Sequence, residues 1–105
     1  MQLGVTDFLP VALTILVEGK PLSSNKVELI DINATDLLKA RSASVGGQFL
    51  HLIDLSAKTK LIDADGNKHN IPYEVIANAS STVLNQLESM EGELLAKLKA
   101  ESIET

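Results

Sequence analysis

Oxygen-bearing side chains are concentrated in one segment, DADGNKHNIPYE, at residues 63–74. Its first, third, fifth and twelfth positions match the ligand positions of an EF-hand calcium loop, and they are held by Asp63, Asp65, Asn67 and Glu74. The sixth position of such a loop needs glycine for a sharp turn, but this chain has Lys68 there. We therefore predict a solvated acidic turn, and a small calcium-binding domain is the less favoured alternative.

The other residues that commonly carry out chemistry do not form a recognisable site. His51 and His69 are the only histidines, and no HExxH spacing joins them. We expect His51, which lies in an apolar run, to be semi-buried, and His69 to lie on the surface. The chain has no cysteine, and none of its serines lies in a GxSxG motif. The sequence thus predicts a protein that is not an enzyme and that uses no metal or cofactor.

The composition indicates one globular domain. The chain has 105 residues, of which 45% are hydrophobic and only 3% aromatic, so the core must be built from aliphatic side chains. The formal net charge of −5 argues against nucleic-acid binding, which depends on lysine and arginine. No apolar run approaches the ~20 residues of a membrane span, and the N-terminus lacks the basic region of a signal peptide. We expect a cytoplasmic protein that binds neither nucleic acid nor membranes.

The hydrophobic pattern predicts an α+β fold with an N-terminal antiparallel β-hairpin, two short helices, an acidic turn and a longer C-terminal amphipathic helix. Alternating apolar residues favour strands at residues 11–18 and 26–32, joined by a long loop at residues 18–25. Asn33 and Thr35 are suited to cap a helix at about residues 35–43. Residues 49–57 favour a second helix, with a strand as the alternative, and short extended pieces flank the acidic turn. Three-four spacing of apolar residues predicts the last helix at about residues 81–99.

The same pattern divides the chain into three parts. We expect a flexible lead-in at residues 1–10, because Asp7 and Pro10 interrupt its apolar stretch. A single α+β domain follows at residues 11–100. Residues 101–105 are predicted to form a frayed tail, as chain ends commonly do.

The apolar stripe of the last helix has two interpretations. It can pack against the hairpin as part of the core, or it can form a docking face for an apolar helix of another chain. Glu91 occupies an expected seam position, which argues against a long self-paired coiled coil but leaves other self-association open. The residues assigned to partner binding on the second interpretation are Leu84, Leu87, Met90, Leu94 and Leu98.

Two strings in the chain resemble a known family. ELIDINATDLLKAR at residues 28–41 and IPYEVIANASSTVLNQL at residues 71–87 are similar to segments of the tail assembly chaperones of long-tailed phages, in the Mu-like and P2-like branch. The resemblance also covers the order of the elements and spans residues 11–90. The loop at residues 18–25 and the insert at residues 58–70 depart from it.

The resemblance implies a non-enzymatic role in the cytoplasm of the host cell. Members of this family bind the long, helical tape-measure protein and keep it soluble until tail-tube subunits surround it. The implied partner is therefore a phage tape-measure protein, with the tail-tube protein as a second candidate. The alternative is a phage structural or adaptor protein that has the same fold and a different partner.

Overall fold

A computed structural model describes residues 3–104 of the chain, with side chains to residue 100. Its sheet is antiparallel with strand order β1-β2-β3-β4. The strands are β1 (Gly4–Val17), β2 (Lys20–Ile30), β3 (Thr59–Ile62) and β4 (Lys68–Asn70). The helices are α1 (Ala34–Ser42), α2 (Leu50–Lys58), α3 (Tyr73–Ala77) and α4 (Ser81–Glu104). The predicted α+β class, with its N-terminal hairpin, short helices and long last helix, is confirmed.

A two-residue turn joins β1 to β2. Glu18 and Gly19 have φ values of 53° and 79°, and Val17 pairs with Lys20 directly across the turn. Positive φ at both central residues is the geometry that matches the twist of paired strands. The predicted long loop at residues 18–25 is therefore wrong. Residues 20–25 of that segment belong to β2, and their side chains mostly face solvent.

The first strand begins well before the predicted start at residue 11. Val5 pairs with Leu29, and both side chains are buried, so burial holds this stretch in the sheet. Residues 4–10 therefore belong to the domain and are not a flexible lead-in; residues 1 and 2 lie outside the described part. The register shifts between Phe8 and Leu13, and Pro10 lies inside this irregular stretch. Proline lacks the N–H that a regular ladder requires, so it is tolerated where pairing is interrupted.

The irregularity changes which side chains of the hairpin face the core. On β2, Val27 and Leu29 are buried, but towards the turn the shielded positions become Leu22 and Ser24. The spacing between the two sets is odd, so the inward face switches near Asn25. Leu13 of β1 then joins the same core cluster as Val27.

A layer of helices covers one face of the sheet. The core cluster combines strand residues with Leu55 of α2, Ile76 of α3 and Leu87 of α4. By register, Glu28 and Lys60 lie on the opposite face. Lys68 Nζ lies 2.7 Å from Glu28 Oε1 on that face. The domain is thus a two-layer arrangement with one charged sheet face.

The helices settle two further predictions. Residues 50–58 form a helix, so the strand alternative is excluded. Helix α4 starts after Ser80, whose Oγ accepts a hydrogen bond from Thr82 N at 3.3 Å, and continues to Glu104. The frayed tail predicted at residues 101–105 is therefore helical as far as the structure describes it, and residue 105 lies outside that part. No helix within residues 3–104 combines the length and apolarity needed to cross a membrane.

Candidate functional site

The predicted partner-binding residues of α4 lie mainly inside the protein. Leu87 and Met90 have no exposed surface, and Leu94 is also buried. Leu84 and Leu98 are partly buried and pack against the same core cluster. A partner has no access to the three buried side chains while the domain is folded. The docking interpretation is corrected for these three, because α4 covers the inner face of β1 and β2.

Large exposed apolar side chains are concentrated instead in α1, in α2 and in the connection between them. Half of the exposed large hydrophobic side chains in the described part fall within residues 38–50, and their exposed fractions run from 54% to 70%. We call this set the α1–α2 surface; it comprises Leu38, Val45, Phe49 and Leu50. Because large apolar side chains left exposed in one stretch of a protein can mark contacts with other macromolecules, this set is the candidate for a binding surface.

Helix α1 is held to the domain without contributing to its core. None of its residues, all of which the structure describes, is buried. Asn33 caps the helix, with its Oδ1 accepting a hydrogen bond from Asp36 N at 2.8 Å. Asp36 in the first turn and Arg41 in the last turn also suit the helix dipole. Local sequence signals therefore specify a helix whose side chains do little for the core.

An ion pair fastens α1 to α2. Arg41 Nε and Nη2 donate to the two carboxylate oxygens of Asp54 at 2.9 and 2.8 Å. The hydrogen bonds from Arg41 hold the pKa of Asp54 below its usual range, and the same contact raises the pKa of Arg41. Both groups therefore stay charged at neutral pH. Two parallel hydrogen bonds orient the guanidinium as well as attract it, so the pair sets the position of α1.

The loop between the two helices is also fixed by hydrogen bonds. Val45 N donates to Gln48 Oε1 at 3.2 Å, and Phe49 N donates to Tyr73 Oη of α3 at 2.9 Å. A cavity of about 200 Å³ lies behind this loop, lined in part by Ala40, Gln48 and Tyr73. The α1–α2 surface is thus presented by an ordered scaffold.

A second concave surface follows the first strand. A groove of about 460 Å³ runs between residues 11–14 of β1 and the corner where α3 meets α4. Val11, Val75 and Val83 contribute apolar walls, and Glu74 is the ionisable residue in the lining. Ala12, Leu13, Thr14, Asn78, Ala79 and Ser80 complete it. We call this the β1 groove.

The acidic turn uses its oxygens internally. Asp63 Oδ1 accepts hydrogen bonds from Asp65 N and Asn67 N, both at 2.9 Å, and Asp63 Oδ2 lies 2.8 Å from His69 Nε2. These contacts, led by that of His69, lower the pKa of Asp63. No group of three or more potential metal-ligating side chains occurs among the described residues. The predicted turn is confirmed, and Asp63 acts in it as a structural acceptor.

The two histidines differ from expectation in opposite directions. His51 is exposed, not semi-buried, and its Nε2 lies 3.1 Å from Glu88 Oε2 of α4. His69 is partly buried by its contact with Asp63, although it was expected on the surface. Each histidine contacts a carboxylate that lies in a distant element or across a turn, which the local sequence does not indicate.

Comparison of this chain with protein families, with characterised protein sequences and with solved structures finds no match. The function must therefore be argued from the residues and their arrangement.

Sequence reasoning missed the α1–α2 surface. A signal was present, because Val45, Phe49 and Leu50 flank Gly46 and Gly47 without belonging to a long periodic stripe. Apolar residues next to a glycine pair have few neighbours to bury them. The β1 groove left no such signal, because its lining is assembled from β1, α3 and α4, which are distant in the chain.

Proposed function

We propose that this protein is a non-catalytic tail assembly chaperone of a long-tailed phage, which binds the helical tape-measure protein in the host cytoplasm. The observation that carries the proposal is the α1–α2 surface. Four large apolar side chains are exposed on α1, on α2 and on the connection between them. None of the residues of α1, all of which are described, is buried in the core of the domain. The resemblance noted for the strings at residues 28–41 and 71–87 points to the same role, although no family model matches the chain.

The chemistry of the surface suits an amphipathic helix. Leu38 lies on α1, Leu50 opens α2, and Val45 and Phe49 lie on the connection. An apolar helical stripe can rest on such a helical pair, where i, i+3 and i+4 side chains serve as anchors. Covering a large side chain on both partners contributes about 1–2 kcal/mol each before the cost of association is subtracted.

The charge of the protein supports the chaperone role. A tape-measure protein exposes long apolar stripes before assembly and needs a cover that stays soluble. A bound partner with a formal net charge of −5 adds electrostatic repulsion between complexes. Affinity would come from the apolar surface and solubility from the rest of the chain.

The test is co-expression with the tape-measure protein encoded in the same phage genome. The soluble fraction of the tape-measure protein is measured with the wild-type chain, with Phe49→Glu and with no chaperone. We expect the wild-type chain to keep the partner soluble and Phe49→Glu to reduce the soluble fraction about tenfold, because a carboxylate cannot be desolvated on this surface.

Leu16→Glu is the matched control. Leu16 is also an exposed large apolar residue, but it lies on β1 near the hairpin turn. The same charge is added there, so solubilisation should be retained, and circular dichroism should show both variants folded. Equal insolubility of the partner with and without the wild-type chain contradicts the proposal. Recovery of the protein from mature virions favours a structural or adaptor role.

A further inference from the structure

We propose that the β1 groove binds an extended peptide segment of another protein by strand addition, with apolar side chains in the groove and a basic residue beside Glu74. The site is separate from the α1–α2 surface, because none of the four residues of that surface lines the groove. The inference concerns a second binding activity and does not depend on the proposed chaperone role.

The first step of the argument is the main chain of β1. This strand is the edge of the described sheet, and residues 9–12 have no partner in the register of β2. Asn25 Nδ2 donates to Leu9 O at 3.4 Å, but it does not reach Val11 or Ala12. Because β1 is the edge strand, alternate main-chain N–H and C=O groups of residues 11–14 point away from β2 and can pair with a ligand strand.

The second step is the shape and apolarity of the groove. Its volume of about 460 Å³ lies within the range of ligand-binding clefts in proteins. Val11 is roughly half exposed, while Val83 below it is fully buried in the core. An extended peptide places alternate side chains on one side, so apolar residues at every second position can enter the groove while the others face solvent.

The third step is the charge. Glu74 is exposed, and within the described chain no ion pair involves it. No lysine, arginine or histidine occurs among the described residues that line the groove. A lysine or arginine of the ligand would therefore complete a charge-assisted contact with Glu74. A second copy of this chain is disfavoured, because both copies would bring Glu74 and a net charge of −5.

Pro10 explains why addition would be limited to a short segment. It lies directly before Val11 in the irregular stretch and cannot donate a main-chain hydrogen bond. Proline is one of the devices that prevents unlimited pairing at sheet edges. The strand can therefore accept a local ligand at residues 11–14 without presenting its whole length for aggregation.

The experiment is an NMR titration of the full chain with a synthetic capped peptide that alternates valine and threonine and carries one lysine at its end. We expect saturable amide shifts centred on residues 11–14 and residues 74–80. A peptide with alternate amides N-methylated keeps the side chains but loses main-chain donors. It should bind about tenfold more weakly.

Charge recognition is tested by exchanging one group at a time. Replacing the peptide lysine with glutamate should weaken binding severalfold to the wild-type protein. With Glu74→Gln the lysine and glutamate peptides should bind equally, whereas the surface variant Phe49→Glu should behave as wild type. If Phe49→Glu fails to keep the tape-measure protein soluble, it should still bind the peptide, because residue 49 does not line the β1 groove. Failure of the chaperone proposal and failure of this inference can therefore be distinguished.

Three results would overturn the inference. The first is the lack of any saturable shift at residues 11–14. The second is equal affinity of the N-methylated peptide, since binding would then not use the main chain. The third is concentration-dependent dimerisation through β1 in the absence of peptide, which would identify a second copy as the occupant.

Discussion

The apolar stripe of α4 and the α1–α2 surface are both rich in aliphatic residues, yet the first is mostly buried in the core and the second is exposed to solvent. On α4, Leu87 and Met90 recur at helical spacing and are completely buried against the sheet. On α1, Leu38 has more than half of its surface exposed, and the helix buries none of its described residues. The difference shows that a long periodic stripe is here a sign of core packing. Apolar residues without a full stripe are the better candidates for a binding surface.

The largest expected effect tests the burial half of this comparison. Leu87→Ala removes a side chain with no exposed surface and should lower the free energy of unfolding by about 3 kcal/mol, from lost burial and the cavity left behind. Leu95→Ala on the same helix is the matched control. Leu95 is 54% exposed, so its replacement should cost less than about 0.5 kcal/mol.

Urea denaturation followed by circular dichroism measures both variants. Equal losses of unfolding free energy at the two positions would show that α4 is not packed on the sheet as described. The apolar stripe of α4 would then again be a candidate docking surface.

A smaller effect is expected at the start of α1. Asn33→Ala removes the side-chain acceptor for Asp36 N and should destabilise this helix by about 1 kcal/mol. Because α1 lies outside the core, we expect the loss to appear as faster amide exchange in residues 34–42, with exchange in α4 unchanged. Asn85→Ala on an exposed position of α4 is the control, and it should leave both helices as protected as before. A uniform loss of protection would mean that α1 and α4 unfold as one unit.

The ion pair between α1 and α2 gives a pH-dependent prediction. The hydrogen bonds from Arg41 lower the pKa of Asp54 in the folded state below that of an aspartate in the unfolded chain. A carboxylate of this kind contributes stability above its unfolded pKa and loses it as pH falls through the lower folded pKa. Asp54→Asn should therefore be less stable than wild type at neutral pH, and the difference should disappear in acid below the folded pKa.

The measurement is the difference in unfolding free energy between the two proteins as pH is lowered, together with an NMR titration of the Asp54 carboxyl. Arg41→Gln should move the pKa of Asp54 upwards, since it removes the largest cause of the shift. An unchanged titration in Arg41→Gln would show that the pair does not hold α1 in solution.

The smallest effect concerns a polar exception in the core. Thr59 is completely buried, and its hydroxyl has no hydrogen-bond partner within the described chain. Thr59→Val keeps the shape and removes the unsatisfied group, so stability should stay the same or rise by up to about 1 kcal/mol. Thr14→Val is the control, because the Thr14 hydroxyl lies 2.7 Å from Ser23 Oγ and a slight loss is expected there. Clear destabilisation by Thr59→Val would reveal a partner for this hydroxyl.

Several elements could be predicted because their signals are local. The Asn33 cap, the Asp63–Asn67 turn and the three-four spacing of α4 each specify their own conformation within a few residues. The prediction of a long loop at residues 18–25 was wrong. Lys20 and Pro21 are residue types common in loops, but here they pair with β1 across a tight turn at Glu18 and Gly19. Their strand conformation is imposed by pairing with Val17 and Leu16 of β1, which the composition of residues 20–25 does not indicate.

The chain by itself determined that α1 and the long α4 would be helices, where α1 is capped and that the core would be aliphatic, because these follow from local spacing, side-chain chemistry and composition. Only the tertiary structure decided which apolar residues are covered. Leu87 is buried because α4 packs on β1 and β2. Phe49 is exposed because no other part of the described chain covers it. Burial depends on the neighbours that a residue acquires from distant parts of the chain. In the hairpin, the interrupted pairing between Phe8 and Leu13 also decides which side chains of β2 face the core.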